Sequence, residues 1–439
     1  MRTFQEIIKT IRERDGAIGY DQNEEAVQRD LSDIITSDDY TSHQKGTFCG
    51  FVALRAFERF DNAAEAVSLA ETALEYKSEN WRASYVLAFD ALYQGKDESF
   101  ATYLTKALSN APNNATLLKG LCSYSFAYQD TELLETLLKN CTNENQKLEI
   151  QSKLDRFCAP IPSRLSAGKK GLFMLSGISH CGSTYLGNFI GSHSDVDYLG
   201  ETHRLALLTE EARGVGIKES PTKFIRCHIC QDHECSQFPD VFREKLKEDP
   251  THYYMKVAEK CDVKIVLFGD KNYVITRDLD PRVSFDEIIL FKSPYNAYMS
   301  RFKRNPIDDP TELSNDIRKY LKIYANNYAN LMLNEAPQHG VLYLNWESFT
   351  AMPTEHIPII SEFFGFELDA DLLGNFVIQS HSFGGNSDVN TVIKERASAL
   401  IKQSGGKMNR LIEVEVSKYP YPSIIYERLM ARYHKDFSL

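Results

Sequence analysis

Residues 171–203 read GLFMLSGISHCGSTYLGNFIGSHSDVDYLGETH. An apolar run, Leu172–Leu175, ends in a loop of small residues, Ser176-Gly177-Ile178-Ser179-His180-Cys181-Gly182-Ser183-Thr184, and an amphipathic helical pattern follows at once. The order is strand, loop, helix. Gly177, Gly182 and Thr184 stand at the spacing of the phosphate-binding pattern G-x-x-x-x-G-K-[ST], whose backbone N–H groups wrap a phosphate at a helix N-terminus. One position departs, because Ser183 occupies the place of the lysine. The loop keeps its backbone donors, and the helix end still favours an anion.

Downstream, short apolar runs alternate with helical stretches. Strands are expected at Leu172–Leu175, Val196–Leu199, Ile265–Phe268, Ile288–Phe291 and Val341–Leu344, with helices over Pro310–Leu333 and His356–Phe364 among those between. Short buried strands between helices predict the α/β class, here a P-loop-like parallel sheet flanked by helices. Ligands of such sheets bind past the carboxyl ends of the strands. Past those ends lie the loop, then Gly269-Asp270-Lys271, then Lys292-Ser293-Pro294, with Ser300 two turns into the next helix. A strand-end lysine and that hydroxyl can meet one phosphate. Each lysine alone reads as a solvated turn residue; two beside an anion loop point to an anion pocket. Arg301, Lys303 and Arg304 read as a wet helix face.

Residues 1–165 differ in character, with helical periodicity and a repeat. Ala73-Leu74-Glu75 returns as Ala107-Leu108-Ser109, a shift of 34, and under that shift Leu87 falls on Leu121, Leu92 on Phe126 and Leu104 on Leu138. A weaker copy precedes, through Ala53, Phe57, Ala66 and Ala70. The expectation is an all-α helical-repeat domain over 1–165 before the α/β domain over 166–439, with Cys158–Lys170 as linker. The alternative is a helical bundle with accidental periodicity.

Composition narrows the function. At 439 residues, 43% hydrophobic and 25% charged, the chain holds ample core for two domains. A net charge of -11 argues against nucleic acid as main partner while leaving room for a local basic pocket. No apolar run approaches the roughly 18 residues of a membrane span, and MRTFQEIIKTIRERDG has no long apolar core of a signal peptide. Nine cysteines, an odd number and mostly scattered, fit a reducing, cytoplasmic setting. Cys227, Cys230 and Cys235, with His228 and His233 interleaved, have ligand types for a structural zinc; Cys261 is another candidate fourth ligand. The alternative is a set of reduced cysteines in a lid loop.

The segment Ser179–Leu186, with Gly191-Ser192-His193 and Leu199-Gly200-Glu201, resembles the sulfotransferases that use 3′-phosphoadenosine 5′-phosphosulfate (PAPS), in particular bacterial members whose loop runs Gly-His-Ser-Gly-Ser-Thr. Further landmarks keep the family's order. Cys227-His228-Ile229-Cys230 with Cys235 resembles a cysteine cluster of that subgroup, and Trp346-Glu347-Ser348-Phe349 its Tyr-Glu-Asp-Leu segment. His381-Ser382-Phe383-Gly384-Gly385-Asn386 resembles a late His-x-x-Gly-Gly-Asn motif. Cys181 stands where the family has Ser, Lys292 where it has Arg, and the Arg expected after Gly-Gly-Asn is missing from Ser387-Asp388-Val389-Asn390. The N-terminal repeat resembles the tetratricopeptide type, a known companion of such domains.

The resemblance implies sulfuryl transfer from PAPS to a hydroxyl or amine, releasing 3′-phosphoadenosine 5′-phosphate (PAP). Ser179, His180, Cys181, Gly182, Ser183, Thr184, Lys292, Ser300, Gly385 and Asn386 would then hold the nucleotide. Glu201 is the candidate base, with His203 a weaker one, and His180 or Lys271 the candidate cation on the leaving group. Glu201 also reads as a helix N-terminal glutamate held by the dipole. The acceptor would be a small molecule or a peptide, and the repeats would carry a protein partner or a homodimer. Two rivals stand beside this reading. One is a P-loop nucleotide kinase, with Lys271 replacing the loop lysine and Asp270 holding magnesium; the other is a non-catalytic nucleotide-binding scaffold.

Overall fold

The computed structural model describes residues 24–60, 62–111, 114, 117, 125, 131–141, 143–159, 170–202, 205, 227, 229–230, 234–249, 251–270, 285–303, 305–333, 340–373, 375–376, 380–383 and 407–437. The chain forms two compact units. The first comprises Met1–Ser125, Glu132–Ile150 and Ser417–Ile424, and the second Phe126–Thr131, Gln151–Val416 and Ile425–Leu439.

In the first unit the described helices are α1 (Glu24–Thr36), α2 (Ser42–Arg59), α3 (Ala63–Tyr76), α4 (Trp81–Gln94), α5 (Asp97–Asn110), α6 (Thr131–Asn140) and the start of α7 (Glu144–Cys158). Helices α3, α5 and α6 begin at 63, 97 and 131, two successive steps of 34 residues. Alanines let these helices approach, and Ala66, Ala70, Ala73, Ala83, Ala88, Ala91 and Ala107 are all buried. Asn80 ties one step to the next. Its side-chain oxygen caps α4 through the N–H groups of Arg82 and Ala83, and its amide donates to the Gly46 carbonyl at 2.6 Å, 34 residues upstream. The unit also takes in Ser417–Ile424. Tyr419 and Tyr421 join a ring cluster with Phe57, Phe60 and Tyr93, and the Tyr421 hydroxyl donates to Asp90 at 3.0 Å.

The second unit is an α/β fold with a five-stranded, all-parallel sheet flanked by many helices. Its strands are β1 (Gly171–Gly177), β2 (Val196–Gly200), β3 (Ile265–Phe268), β4 (Asp286–Phe291) and β5 (Val341–Asn345), in spatial order β2-β3-β1-β4-β5. The helices are α8 (Ser183–Ile190), α9 (Asp240–Glu248), α10 (Tyr253–Ala258), α11 (Pro294–Phe302), α12 (Pro310–Leu333), α13 (Trp346–Ala351), α14 (Pro353–Phe364), α15 (Lys407–Ser417) and α16 (Pro420–Phe437), the last two beginning or ending in the neighbouring unit's segment. Both β3 and β4 pair with β1, so the order of the sheet reverses around β1, and the carboxyl end of β1 is where such folds place a ligand.

Each expected strand is present, and most are longer than their apolar runs. β1 continues through Ser176 and Gly177, which pair with Ile289 and Leu290. The Ser176 hydroxyl meets the buried Glu287 carboxylate, so polar residues extend the ladder instead of ending it. β4 starts two residues early for the same reason, since the Asp286 carboxylate accepts the Gly340 N–H at 2.9 Å. Helix α14 starts at Pro353 rather than His356, the proline sitting in the first turn where it costs no hydrogen bond. Among the described residues no helix is long and apolar enough to cross a membrane.

Candidate functional site

The loop after β1 is a tight turn. The Cys181 N–H bonds the Ile178 carbonyl at 3.3 Å, and His180 takes a left-handed φ of 69°. Gly182 caps α8 at φ 109°, and a Cβ there would lie 2.5 Å from the Trp346 indole, so only glycine serves both the backbone and the packing. Among the described residues no side chain caps α8. The first N–H groups of a helix have no acceptor within it, which leaves those of Gly182, Ser183 and Thr184 to meet an anion. The Ser183 hydroxyl is buried and has no partner among the described residues.

Lys292 closes the other side. Its ammonium, at the end of β4, donates to the His180 carbonyl at 2.8 Å and to the Ser300 hydroxyl at 3.0 Å. It lies 5.7 Å from the centre of the Trp346 ring, whose π-face favours a cation. Lys292 and Ser300, expected to share one phosphate, are in direct contact, and Lys292 also bonds the loop. Arg301 is spoken for, forming a two-pronged pair with Asp316 at 2.8 and 3.0 Å that holds the Asp316 carboxyl below its usual range. Glu347 accepts from the Ser293 N–H, the Ser293 hydroxyl and the Asn296 amide, each near 2.9–3.0 Å, and so anchors the N-terminus of α11.

A helix that sequence reasoning treated only as scaffold holds these pieces in place. Tyr320, Tyr324 and Tyr328 repeat every four residues along α12 and share one face. The Tyr328 hydroxyl donates to the Leu290 carbonyl at 2.9 Å, that of Tyr324 to the Lys292 carbonyl at 2.8 Å, and that of Tyr320 reaches the Ala297 and Ser179 carbonyls at 3.3 and 3.4 Å. Asn327 donates to the Gly177 carbonyl at 3.0 Å. Burial pushes these phenols up, which keeps them protonated donors. The tyrosine spacing was visible in sequence; its target was not.

Glu201 follows β2, two strand positions from β1 and thus about 10 Å across the sheet. It is buried, and its N–H donates to the Phe383 carbonyl at 2.7 Å while the Phe383 N–H donates to the Leu199 carbonyl at 2.9 Å. The Tyr198 N–H bonds the Ser380 hydroxyl at 3.0 Å. Residues 380–383 thus form a strap along the end of β2. Gly200 permits it, since a Cβ there would sit 2.4 Å from the Phe383 carbonyl oxygen. Asp270, after β3, accepts from the Thr202 and Tyr254 hydroxyls at 2.8 Å each. Lys271, His203, Gly385 and Asn386 lie outside the described residues.

The strap also carries His381 to the cysteines. Its Nδ1 stands 3.3 Å from Cys227 Sγ, 3.4 Å from Cys230 Sγ and 3.4 Å from Cys235 Sγ. The fourth member is a residue expected only as part of a nucleotide motif. His228 and His233 lie outside the described residues. Cys261 is not in the group; its thiol faces the Val257 carbonyl and the Gln237 amide instead.

No protein-family model matches the chain, and no curated protein matches it. Two solved structures are similar to it. One is a sulfotransferase domain from the curacin biosynthetic pathway, 14% identical with a TM-score of 0.33, the match covering 56% of this chain and 98% of that one. The other is a sulfotransferase from Alicyclobacillus acidocaldarius, 12% identical with a TM-score of 0.28, covering 56% and 96%. Likeness at this level assigns no chemistry.

Proposed function

We propose that the α/β unit is a sulfotransferase that moves a sulfuryl group from PAPS to a hydroxyl or amine acceptor and releases PAP. The observation that carries this reading is the Lys292 ammonium, held at once by the His180 carbonyl of the loop and the Ser300 hydroxyl of α11. Such a cation at a strand end, beside uncapped N–H groups of α8, suits a nucleotide with phosphates at two positions. Lys292 and Ser300 would take the 3′-phosphate. The N–H groups of Gly182, Ser183 and Thr184, with the partnerless Ser183 hydroxyl, would take the phosphosulfate. Ser179, His180, Cys181, Gly385 and Asn386 would line the same nucleotide.

Sulfuryl transfer forms an oxygen–sulfur or nitrogen–sulfur bond to the acceptor and breaks the bond from sulfur to the bridging oxygen, which leaves with the electron pair on PAP. Glu201 would take the acceptor's proton as the new bond forms. The loop donors, with His180 or Lys271 as cation, would stabilise the charge that grows on the bridging oxygen. Asp270 favours this over the kinase reading. One of its carboxylate oxygens already accepts two hydroxyls, a poor arrangement for a magnesium ligand.

The same proposal reads the first unit as tetratricopeptide-like repeats, supported by the 34-residue steps between helix starts, that recruit a peptide acceptor, a protein partner or a second copy. It places the protein in the cytoplasm, where thiols stay reduced. Calorimetric titration with PAP, beside ATP plus magnesium, tests the core of it. Tight PAP binding without metal is expected. Preference for magnesium-ATP would replace it with the kinase reading, and binding of neither would remove the nucleotide pocket.

A further inference from the structure

We propose that Cys227, Cys230, Cys235 and His381 are the four ligands of a structural zinc ion that clips the 380–383 strap to the carboxyl end of β2. Three sulfurs lie 3.3, 3.4 and 3.4 Å from one ring nitrogen. An imidazole nitrogen carries one lone pair or one N–H, so it makes one hydrogen bond, not three. Three thiols converging on it need a shared centre. Zinc supplies one. With bonds of about 2.3 Å to sulfur and 2.0–2.1 Å to nitrogen, a tetrahedral ion places each sulfur about 3.5 Å from the nitrogen. All four donor atoms lie within 4.8 Å of one another, as one small ion requires.

The surroundings agree with a closed, structural site. Cys227 and Cys235 are buried, in a core cluster with Leu199, Phe238 and Phe383. Three thiolates and a neutral imidazole leave one net negative charge around a divalent ion, and the Cys230 N–H donates toward Cys227 Sγ to relieve it. Four protein ligands leave no open position, so the ion does no sulfuryl chemistry. The backbone shows what it joins. Phe383 forms single β-bridges to Gly200 on one side and to Cys227 on the other, so the strap lies between the cysteine segment and β2. Glu201 hangs from the same strap through its N–H. The ligand set stands whether or not the sulfotransferase reading does.

The test is the metal content of the full chain purified without chelators, by inductively coupled plasma mass spectrometry. About one zinc per chain is expected, with the three thiols unreactive to a disulfide reagent until a chelator is added. Iron in place of zinc would overturn the proposal. So would a disulfide among the three cysteines, or no zinc retained through gel filtration after one equivalent is added. Cobalt exchanged into the wild-type chain identifies the ligands without relying on a variant that misfolds. Intense visible bands and thiolate-to-cobalt absorption are expected, and weak bands of an octahedral ion would overturn the tetrahedral set. His381→Cys should keep about one cobalt per chain and shift those bands; an unshifted spectrum would remove His381.

Discussion

At the end of β1 the backbone carbonyls of Gly177, Leu290 and Lys292 are held by side chains reaching from one helix, α12. At the end of β2 the backbone of Leu199–Glu201 is held by another piece of backbone, the 380–383 strap, which His381 ties to three cysteines. The first region is preorganised by covalently attached donors packed in a core. The second rests on a backbone strap whose His381 sits among three cysteines. In the proposed sulfotransferase, a loop that meets an anion in one geometry would gain from the rigid support. The base Glu201 would be set instead by a strap whose hold would depend on the proposed zinc ion.

The sharpest way to break the comparison is Glu201→Gln. It should lower turnover by about 10²–10⁴ while PAP affinity in calorimetry stays unchanged; an unaltered rate would place the base elsewhere. Lys292→Ala should weaken PAP binding by about 10–100-fold, the worth of charged hydrogen bonds. Equal affinity would remove Lys292 from the nucleotide site. Next comes the divide itself. Chelation should raise amide hydrogen exchange at 198–201 and 380–383 and leave 177–183 protected. A uniform rise would mean the two ends are one cooperative structure.

Smaller effects belong to the supports. Tyr328→Phe removes the hydroxyl that donates to the Leu290 carbonyl, and urea unfolding should show a loss of about 1 kcal/mol. The least effect should come from Asp316→Asn, at about 0.5–1 kcal/mol. Arg301 lowers the Asp316 carboxyl in the folded state, so the pair stabilises above the unfolded carboxyl pKa of about 3.9 and loses that contribution as pH falls below it. The gap between wild type and variant should close toward pH 3, and a gap that widens on acidification would reverse the assigned cause.

Much of the β1 region was legible in the chain. Strand β3 and helix α12 match their expected bounds, and Lys292 and Ser300 were named at the strand end and two turns on, while their direct contact needed the fold to appear. Its limits were misread only where polar residues such as Ser176 and Asp286 extend strands through side-chain bonds to distant partners. The β2 region was half legible. The cysteine spacing announced a cluster, but its fourth member belonged to a different motif. Glu347 was noticed within a motif, while its work, anchoring α11, needed the fold to appear.

The sequence by itself determined the alternation of strands and helices, the anion-loop spacing, the 34-residue recurrence and the three thiols within nine positions. Each is a pattern among near neighbours in the chain, where periodicity and backbone chemistry act directly. Only the tertiary structure decided that His381 joins Cys235 across 146 residues, that Tyr320 reaches Ser179 across 141, and that a strap from position 383 holds Glu201. Those pairings are set by which surfaces the sheet and its crossovers bring together, and nothing local to either partner encodes them.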